Sequence, residues 1–366
     1  MIIFALYSLA GGGDKGASGG NISNVELIKE LAKSRGVTVI APSVSDSLSR
    51  DLQECGVTVI TSSFSRRGIL ARLAKRRWIR STISEAIHSL ADTSIVVASN
   101  GTCDLAYESL SKHRPTPADR PRLFVLCRAF EDMFYTRLSA SYTSMAKGFL
   151  FDAISLGRTR RAYRAADRVI VNSSFMRLTV IDYFGLNSSQ IHILYPPVEN
   201  ADWAWRAPSN KPVVGIINPS RHKGEGIFLA LADRFSDVEF TYFGAIDKQY
   251  CQPNITYGGW MSDSNALYSK IDVLIVPSRW HEPFGRVAVE AINHGIPALV
   301  SSKGGLPETI DPEFVVLGET TDDWAAPLEH ILMPGNSCKE AWQRSKSITA
   351  KFSPTHHHSA IRGIFS

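Results

Sequence analysis

The chain has 366 residues, of which 44% are hydrophobic, 10% aromatic and 20% charged. That balance belongs to a globular protein with apolar surface to bury, and it excludes a disordered chain, a collagen-like repeat and a disulfide scaffold. Forty Lys and Arg against 35 Asp and Glu leave a charge of +5, which suits phosphate-bearing ligands but falls short of a dedicated nucleic-acid binder.

Short apolar runs alternate with longer segments of helical period. Strands are predicted at Ile2–Leu6, Val37–Ala41, Val57–Thr61, Ile95–Ala98, Leu123–Leu126, Val169–Asn172 and Ile191–Tyr195. Many of these residues are β-branched, and Gly, Pro or Ser bounds several of the runs, as in buried parallel strands. Between them, Asn24–Ser34 reads as a helix with Val25, Ile28 and Leu31 on one face, and Ser23 with Glu26 has the spacing of a capping box. A second series follows at Val213–Ile217, Glu239–Phe243, Val273–Val276, Ala298–Ser301 and Phe314–Leu317. Residues 200–212, with two Trp, two Pro and no clear period, read as a linker. The expectation is therefore a first domain over 1–199, a second over 213–350 and a closing helix over 351–366 that crosses back to the first. Strand–helix alternation on both sides predicts two doubly wound α/β domains, with ligands beyond the carboxyl ends of the strands.

Apolar runs stay well below the roughly 18–20 residues of a membrane span. Met1–Ala10 lacks a positive n-region and reads as a buried first strand rather than a signal peptide. Cys55, Cys103, Cys127, Cys251 and Cys338 are scattered, with no Cys-x-x-Cys pair. Neither a zinc site nor a disulfide framework is expected, and a reducing, cytoplasmic location is the simplest reading. His356-His357-His358 reads as a surface cluster rather than a metal site.

Three loops after strands carry chemistry-bearing residues. Residues 11–20 hold six glycines, among them Gly12, Gly13, Gly19 and Gly20. Such a loop allows close backbone approach to a phosphate or sugar at a helix N-terminus; the competing reading is a flexible turn. The spacing is neither Gly-x-Gly-x-x-Gly nor a P-loop. In the segment 277–291, a strand ends at Val276 and a helix is expected to open near Phe284. The amides of Phe284, Gly285 and Arg286 would then offer donors to a pyrophosphate. Glu290 lies under two turns on, about 7–9 Å at 1.5 Å per residue, which is the reach from a diphosphate to its ribose. Its carboxylate can accept from both hydroxyls of a ribose diol. Glu282 stays in the loop, where a donor sugar would sit. In 218–224, Arg221 and Lys223 place positive charge at the same rim; by themselves they read equally as a solvated basic loop.

Together these residues resemble a family-4 glycosyltransferase of the GT-B architecture, in which two doubly wound Rossmann-like domains face a cleft. Glu282-Pro283-Phe284-Gly285 with Glu290 resembles the family's E-x7-E signature, and Gly19-Gly20 with Leu31-Ala32 its first loop and helix. Residues 164–174 (RAADRVIVNSS), Tyr195-Pro196-Pro197-Val198, Lys223-Gly224 and Gly304-Gly305-Leu306-Pro307-Glu308 resemble further family segments. The resemblance implies a retaining hexosyltransferase that uses a nucleotide-diphosphate sugar and no obligatory metal or other cofactor. By that analogy Glu290 holds the ribose, Glu282 contacts the donor sugar and Lys223 neutralises the leaving diphosphate. Two positions depart from the family. Asn218 stands where members carry Arg five residues before the lysine, a charge that Arg221 or Arg286 would have to supply. Arg128 stands where many carry His after the fifth strand. It suits a phosphate or a donor hydroxyl but cannot serve as a base, since guanidinium stays protonated. Glu131 and Asp132 are the candidates if a base is needed.

The acceptor side is the least determined. Residues 66–87 are the most basic stretch, with Arg66, Arg67, Arg72, Lys75, Arg76, Arg77 and Arg80 between Ile69, Leu70, Leu73, Ile79, Ile83 and Ile87. A basic amphipathic helix suits an anionic membrane surface or an acidic acceptor, and equally a domain helix with a solvated basic face. The expected partners are thus a nucleotide sugar, a saccharide or lipid-linked hydroxyl acceptor and an anionic membrane surface, with no nucleic acid. That places the protein peripherally on the inner face of the membrane, in polysaccharide, lipopolysaccharide or glycolipid assembly. The alternatives are a nucleotide-sugar epimerase or hydrolase of the same fold, or a non-catalytic partner subunit.

Overall fold

The computed structural model describes residues 1–10, 19–62, 69–88, 94–99, 101–113, 121–130, 133, 157–201, 203–245, 247–333 and 338–366. The chain divides into two units, Met1–Tyr195 with Ala360–Ser366, and Pro196–Ser359.

The first unit is built on seven strands: β1 (Ile2–Ala5), β2 (Val37–Ile40), β3 (Thr58–Ile60), β4 (Ile95–Ser99), β5 (Arg122–Cys127), β6 (Arg168–Val171) and β7 (Ile191–Ile193). They form a parallel sheet in the order β3-β2-β1-β4-β5-β6-β7. Side chains alternate across a strand. One face of this sheet therefore presents Ile2, Phe4, Val37, Val39, Ile95, Val97, Phe124, Leu126 and Ile170 to a single buried cluster. Covering it are α1 (Gly19–Ala32) through Val25, Ile28 and Leu31, α2 (Asp46–Glu54) through Leu48 and Leu52, and Ile361, Ile364 and Phe365. Among the described residues four more helices belong to this unit: α3 (Ile69–His88), α4 (Cys103–His113), α5 (157–165) and α6 (Ser174–Phe184), the last following β6. The 164–174 segment has local work to do. Asp167 accepts from the Leu123 amide at 2.7 Å, fixing β6 beside β5, and Ser173 caps α6 by accepting from Met176 at 3.0 Å.

The second unit holds β8 (Val213–Ile217), β9 (Glu239–Phe243), β10 (Ile255–Gly259), β11 (Val273–Val276), β12 (Ala298–Ser301) and β13 (Val315–Val316). They form a parallel sheet in the order β10-β9-β8-β11-β12-β13. Its helices are α7 (Glu225–Arg234), α8 (Ser264–Tyr268), α9 (Arg286–Asn293), α10 (Thr321–Leu332) and α11 (Cys338–Thr349). The last helix, α12 (Pro354–Phe365), divides: it groups with the second unit through Ser359 and with the first from Ala360. In each sheet the order reverses beside its first strand, at β1/β4 and at β8/β11. An open α/β sheet leaves its crevice at such a point.

The structure corrects the sequence reading locally. Strand β10 was not foreseen. It lies at the sheet edge, half-buried and ending in two glycines, so it carries no apolar run. Helix α1 begins at Gly19, five residues before the predicted start. Ser23 is no cap: its hydroxyl donates back to the Gly19 carbonyl at 2.9 Å, inside the helix. In α3, Ile79, Ile83 and Ile87 form the buried stripe, whereas Leu70 and Leu73 stand in solvent.

Candidate functional site

The β8/β11 switch point gathers the residues singled out in the second unit. The loop after β8 turns at Gly224, whose backbone is left-handed (φ +79°). A Cβ there would lie 1.9 Å from the Pro277 carbonyl oxygen, so only glycine lets the two loops meet main chain to main chain. The contact is sealed by amides of the β11 loop: Arg279 donates to the His222 carbonyl at 2.8 Å and Trp280 to the same oxygen at 3.3 Å. Lys223 is thereby brought to Glu282, Nζ to Oε1 3.5 Å. The lysine side chain is 42% exposed and that of Glu282 14%.

Glu282 is fixed from two further sides. Ser278 Oγ donates to its Oε1 at 2.8 Å, and its carbonyl accepts from the Gly305 amide at 2.7 Å. Gly304 (φ +70°) passes so close that a Cβ would sit 2.2 Å from the Glu282 carbonyl oxygen. The second glycine loop thus acts as the floor beneath Glu282.

Helix α9 opens at Arg286, two residues beyond Phe284, with Gly285 as its N-cap. Phe284 is buried, edge-on to Phe352 at 4.9 Å. No side chain caps α9. The Ala288 amide reaches the Gly285 carbonyl at 3.1 Å, and the amides of Gly285, Arg286 and Val287 have no acceptor among the described residues. An uncapped helix start of this kind offers donors and positive potential to an anion. Four residues along the helix from Arg286, the Glu290 carboxylate is held at both oxygens: Arg286 Nε lies 3.4 Å from Oε1, and Tyr268 donates to Oε2 at 3.0 Å. Burial, reinforced by Glu290, pushes the Tyr268 phenol well above its usual range, so it remains a donor. Arg286 also donates to the Pro197 carbonyl at 2.8 Å, which commits its guanidinium to this unit's own frame. Arg221 is exposed, with no ion pair among the described residues. Asn218 takes a left-handed backbone (φ 50°) at the end of β8, a conformation that asparagine tolerates better than most side chains.

In the first unit Gly19 and Gly20 form the opening turn of α1, while Gly12 and Gly13 lie outside the described residues, as do Arg66, Arg67, Glu131 and Asp132. Arg128 is buried behind β5, held by Asn24 at 2.9 Å and by the Leu194 carbonyl at 3.5 Å. The basic residues of α3 separate by environment. Arg76 binds Asp104 and the Gly101 carbonyl, Arg80 pairs with Glu108, and Lys75 lies over the Tyr7 ring at 5.9 Å. Arg72 and Arg77 are exposed.

A family model described as Glycosyltransferase Family 4 matches residues 17–201, a little over half of the chain, and one described as Glycosyl transferases group 1 matches residues 231–346. The chain belongs to this glycosyltransferase family. An uncharacterized 41.2 kDa protein from the cps region of Klebsiella pneumoniae is 39% identical over 85 residues, 23% of this chain and 21% of that protein. The chain spans a fifth to about half the length of the curated relatives it matches. Among solved structures, Anabaena HepE in complex with UDP is 17% identical with a TM-score of 0.73, covering 99% of this chain and 98% of that one. WaaG, a glycosyltransferase involved in lipopolysaccharide biosynthesis, is 15% identical with a TM-score of 0.64, covering 100% and 98%. These likenesses show the GT-B fold.

The acidic and basic residues of the site were visible in the sequence, but most of their supports were not. Ser278 lies in the same loop as Glu282, whereas Tyr268 and Asn24 are ordinary residues in their segments that only the fold brings to Glu290 and Arg128. Among the described residues no group of three His, Cys, Asp or Glu converges on a metal site, and no helix is long and apolar enough to cross a membrane.

Proposed function

We propose that this protein is a retaining glycosyltransferase that moves a hexose from a nucleotide-diphosphate sugar to a hydroxyl acceptor. The observation that carries the reading is the assembly of Lys223, Glu282, the uncapped start of α9 and Glu290 at one switch point. In this reading the diphosphate accepts from the amides of Gly285, Arg286 and Val287, and Lys223 exchanges its contact with Glu282 for the phosphate. Charge developing on the leaving group then meets donors already in place, the arrangement that lowers a barrier most. Glu290 accepts from the ribose hydroxyls with its remaining lone pairs, since Tyr268 and Arg286 leave each oxygen with acceptor capacity. Glu282, freed from Lys223 and steadied by Ser278, faces the sugar. The cps-region relative and the part of WaaG in lipopolysaccharide biosynthesis support an envelope glycan as acceptor. The exposed Leu70 and Leu73 beside Arg72 and Arg77 support peripheral contact of α3 with an anionic membrane. Co-sedimentation with anionic but not zwitterionic vesicles, weakened in Leu70→Ser/Leu73→Ser, checks that contact.

The donor site is tested by thermal-shift titration with UDP-, GDP-, ADP- and dTDP-sugars beside Glu290→Ala. A nucleotide at a hundredfold excess over its dissociation constant stabilises by about 2.7 kcal/mol. One series is expected to raise the midpoint and to lose most of that rise in Glu290→Ala. No shift with any series would overturn the assignment.

A further inference from the structure

Among the described residues, the first unit holds a buried charge that no carboxylate satisfies. Arg128 directly follows β5 and is 6% exposed. Its Nε and Nη1 are engaged by Asn24 and Leu194, but Nη2 is buried without a hydrogen-bond partner. Among the described residues no carboxylate pairs with it, and burial alone lowers its pKa to about 10, so it is cationic at neutral pH. Beside it Asn172, which directly follows β6 and is 5% exposed, donates Nδ2 to the Arg128 carbonyl at 2.8 Å. Its Oδ1 is also buried and unpartnered. Turning the amide over does not help, because Oδ1 would then face the carbonyl oxygen and the bond would be lost. Two hydrogen-bonded neighbours at the carboxyl ends of adjacent strands thus present one spare donor on a cation and one spare acceptor.

Buried polar atoms normally find partners, and a buried cation needs an opposite charge as well. Water can satisfy Asn172 but cannot neutralise Arg128. A neutral sugar has the same shortcoming: its hydroxyls complete the hydrogen bonds and leave the charge uncompensated. An oxyanion completes both, and guanidinium is the side chain best matched to a carboxylate or phosphate.

We propose that Arg128 and Asn172 form a pocket for an acidic sugar substrate, with its carboxylate or phosphate monoester on Arg128 and a neighbouring hydroxyl donating to Asn172. This rests on the glycosyltransferase reading and adds to it that one of the two substrates is acidic. Arg128 then determines specificity.

Calorimetry on the full chain separates the sources of the anion. The donor arm compares UDP-glucuronate with UDP-glucose and GDP-mannuronate with GDP-mannose. The acceptor arm, at saturating UDP or GDP, compares glucuronate and glucose 6-phosphate with glucose. In one arm the acidic ligand is expected to bind at least tenfold tighter than its neutral counterpart. That preference should vanish in Arg128→Gln and return in part in Arg128→Lys, with thermal midpoints confirming that both variants fold. Equal binding of acidic and neutral ligands in both arms, or a preference that survives Arg128→Gln, would sink the proposal. The wild-type comparison decides the matter even if a variant fails to fold. Nucleotide binding that depends on Glu290, without acidic preference, overturns this inference alone; absence of nucleotide binding overturns the donor-site reading and this inference with it.

Discussion

Lys223 and Arg128 are both cations at the carboxyl ends of parallel strands, one in each unit, yet they are kept in opposite ways. Lys223 is half-exposed and already matched to Glu282, so in the free protein its charge is balanced by both solvent and a carboxylate. Arg128 is shut away and, among the described residues, matched by neutral groups only. An exposed cation can trade one anion for another at small cost, because water screens the exchange. A buried one cannot be idle without penalty, so its surroundings say more about what is meant to arrive. In the proposed reading Lys223 meets a group that changes charge during the reaction, and Arg128 selects a group that does not.

The largest expected effect tests the first half of that contrast. Lys223→Ala should lower kcat by about 10²–10³-fold with a nucleotide sugar, the usual loss on removing one electrostatic donor. A change confined to KM would make Lys223 a binding group only. Next comes the loop geometry. Gly224→Ala places a methyl against the Pro277 carbonyl in a left-handed backbone, and a cost of about 1–3 kcal/mol in chemical denaturation is expected. A neutral result would mean that the two loops are not packed as described. Removing the Arg128 anchor is of similar size: Asn24→Ala deletes one hydrogen bond to a charged group, a loss of about 1.5–3 kcal/mol, and part of the acidic-ligand preference goes with it. Smallest of all is the pH response. Because burial brings the folded pKa of Arg128 down to about 10, the folded state sheds that proton before the unfolded chain does. Its unfavourable contribution is therefore fully present below pH 10 and is relieved only as the pH rises beyond it. Binding of a carboxylate sugar should accordingly be flat between pH 6 and 9. A titration within that window would point to another group.

Much of this was legible in the chain. Among the described residues twelve strands show as short apolar or β-branched runs, the central ones because parallel strands are buried on both faces. The one that escaped, β10, is an edge strand whose burial is partial and whose end is two glycines. The polar residues at the second switch point were visible because their spacing along a strand–turn–helix is a one-dimensional property. Other supports come from elsewhere in the sequence: Tyr268 reaches Glu290 across 22 positions and, in the first unit, Asn24 reaches Arg128 across 104. No local signal marks such pairs. The Ser23 cap failed for a different reason, since a serine in the first turns of a helix can satisfy either a forward amide or a backward carbonyl, and here it takes the latter. In α3 the near-helical spacing of apolar residues ran on past the packed stripe, because spacing alone does not say where the neighbouring surface ends.

The division of α12 bears on how the protein is made. Ile361, Ile364 and Phe365 fill the apolar cluster of the first unit, and Phe365 meets Phe124 at 5.2 Å. Arg168 takes the carbonyls of Gly363 and Ile364, and Arg122 that of Ser366 at 3.2 Å. Domains generally fold in the order in which they leave the ribosome. Here the unit that emerges first lacks part of its interior until residue 365 has been translated. The nascent chain must therefore carry an open apolar seam throughout synthesis of the second unit, and the final helix acts as the plug that closes it.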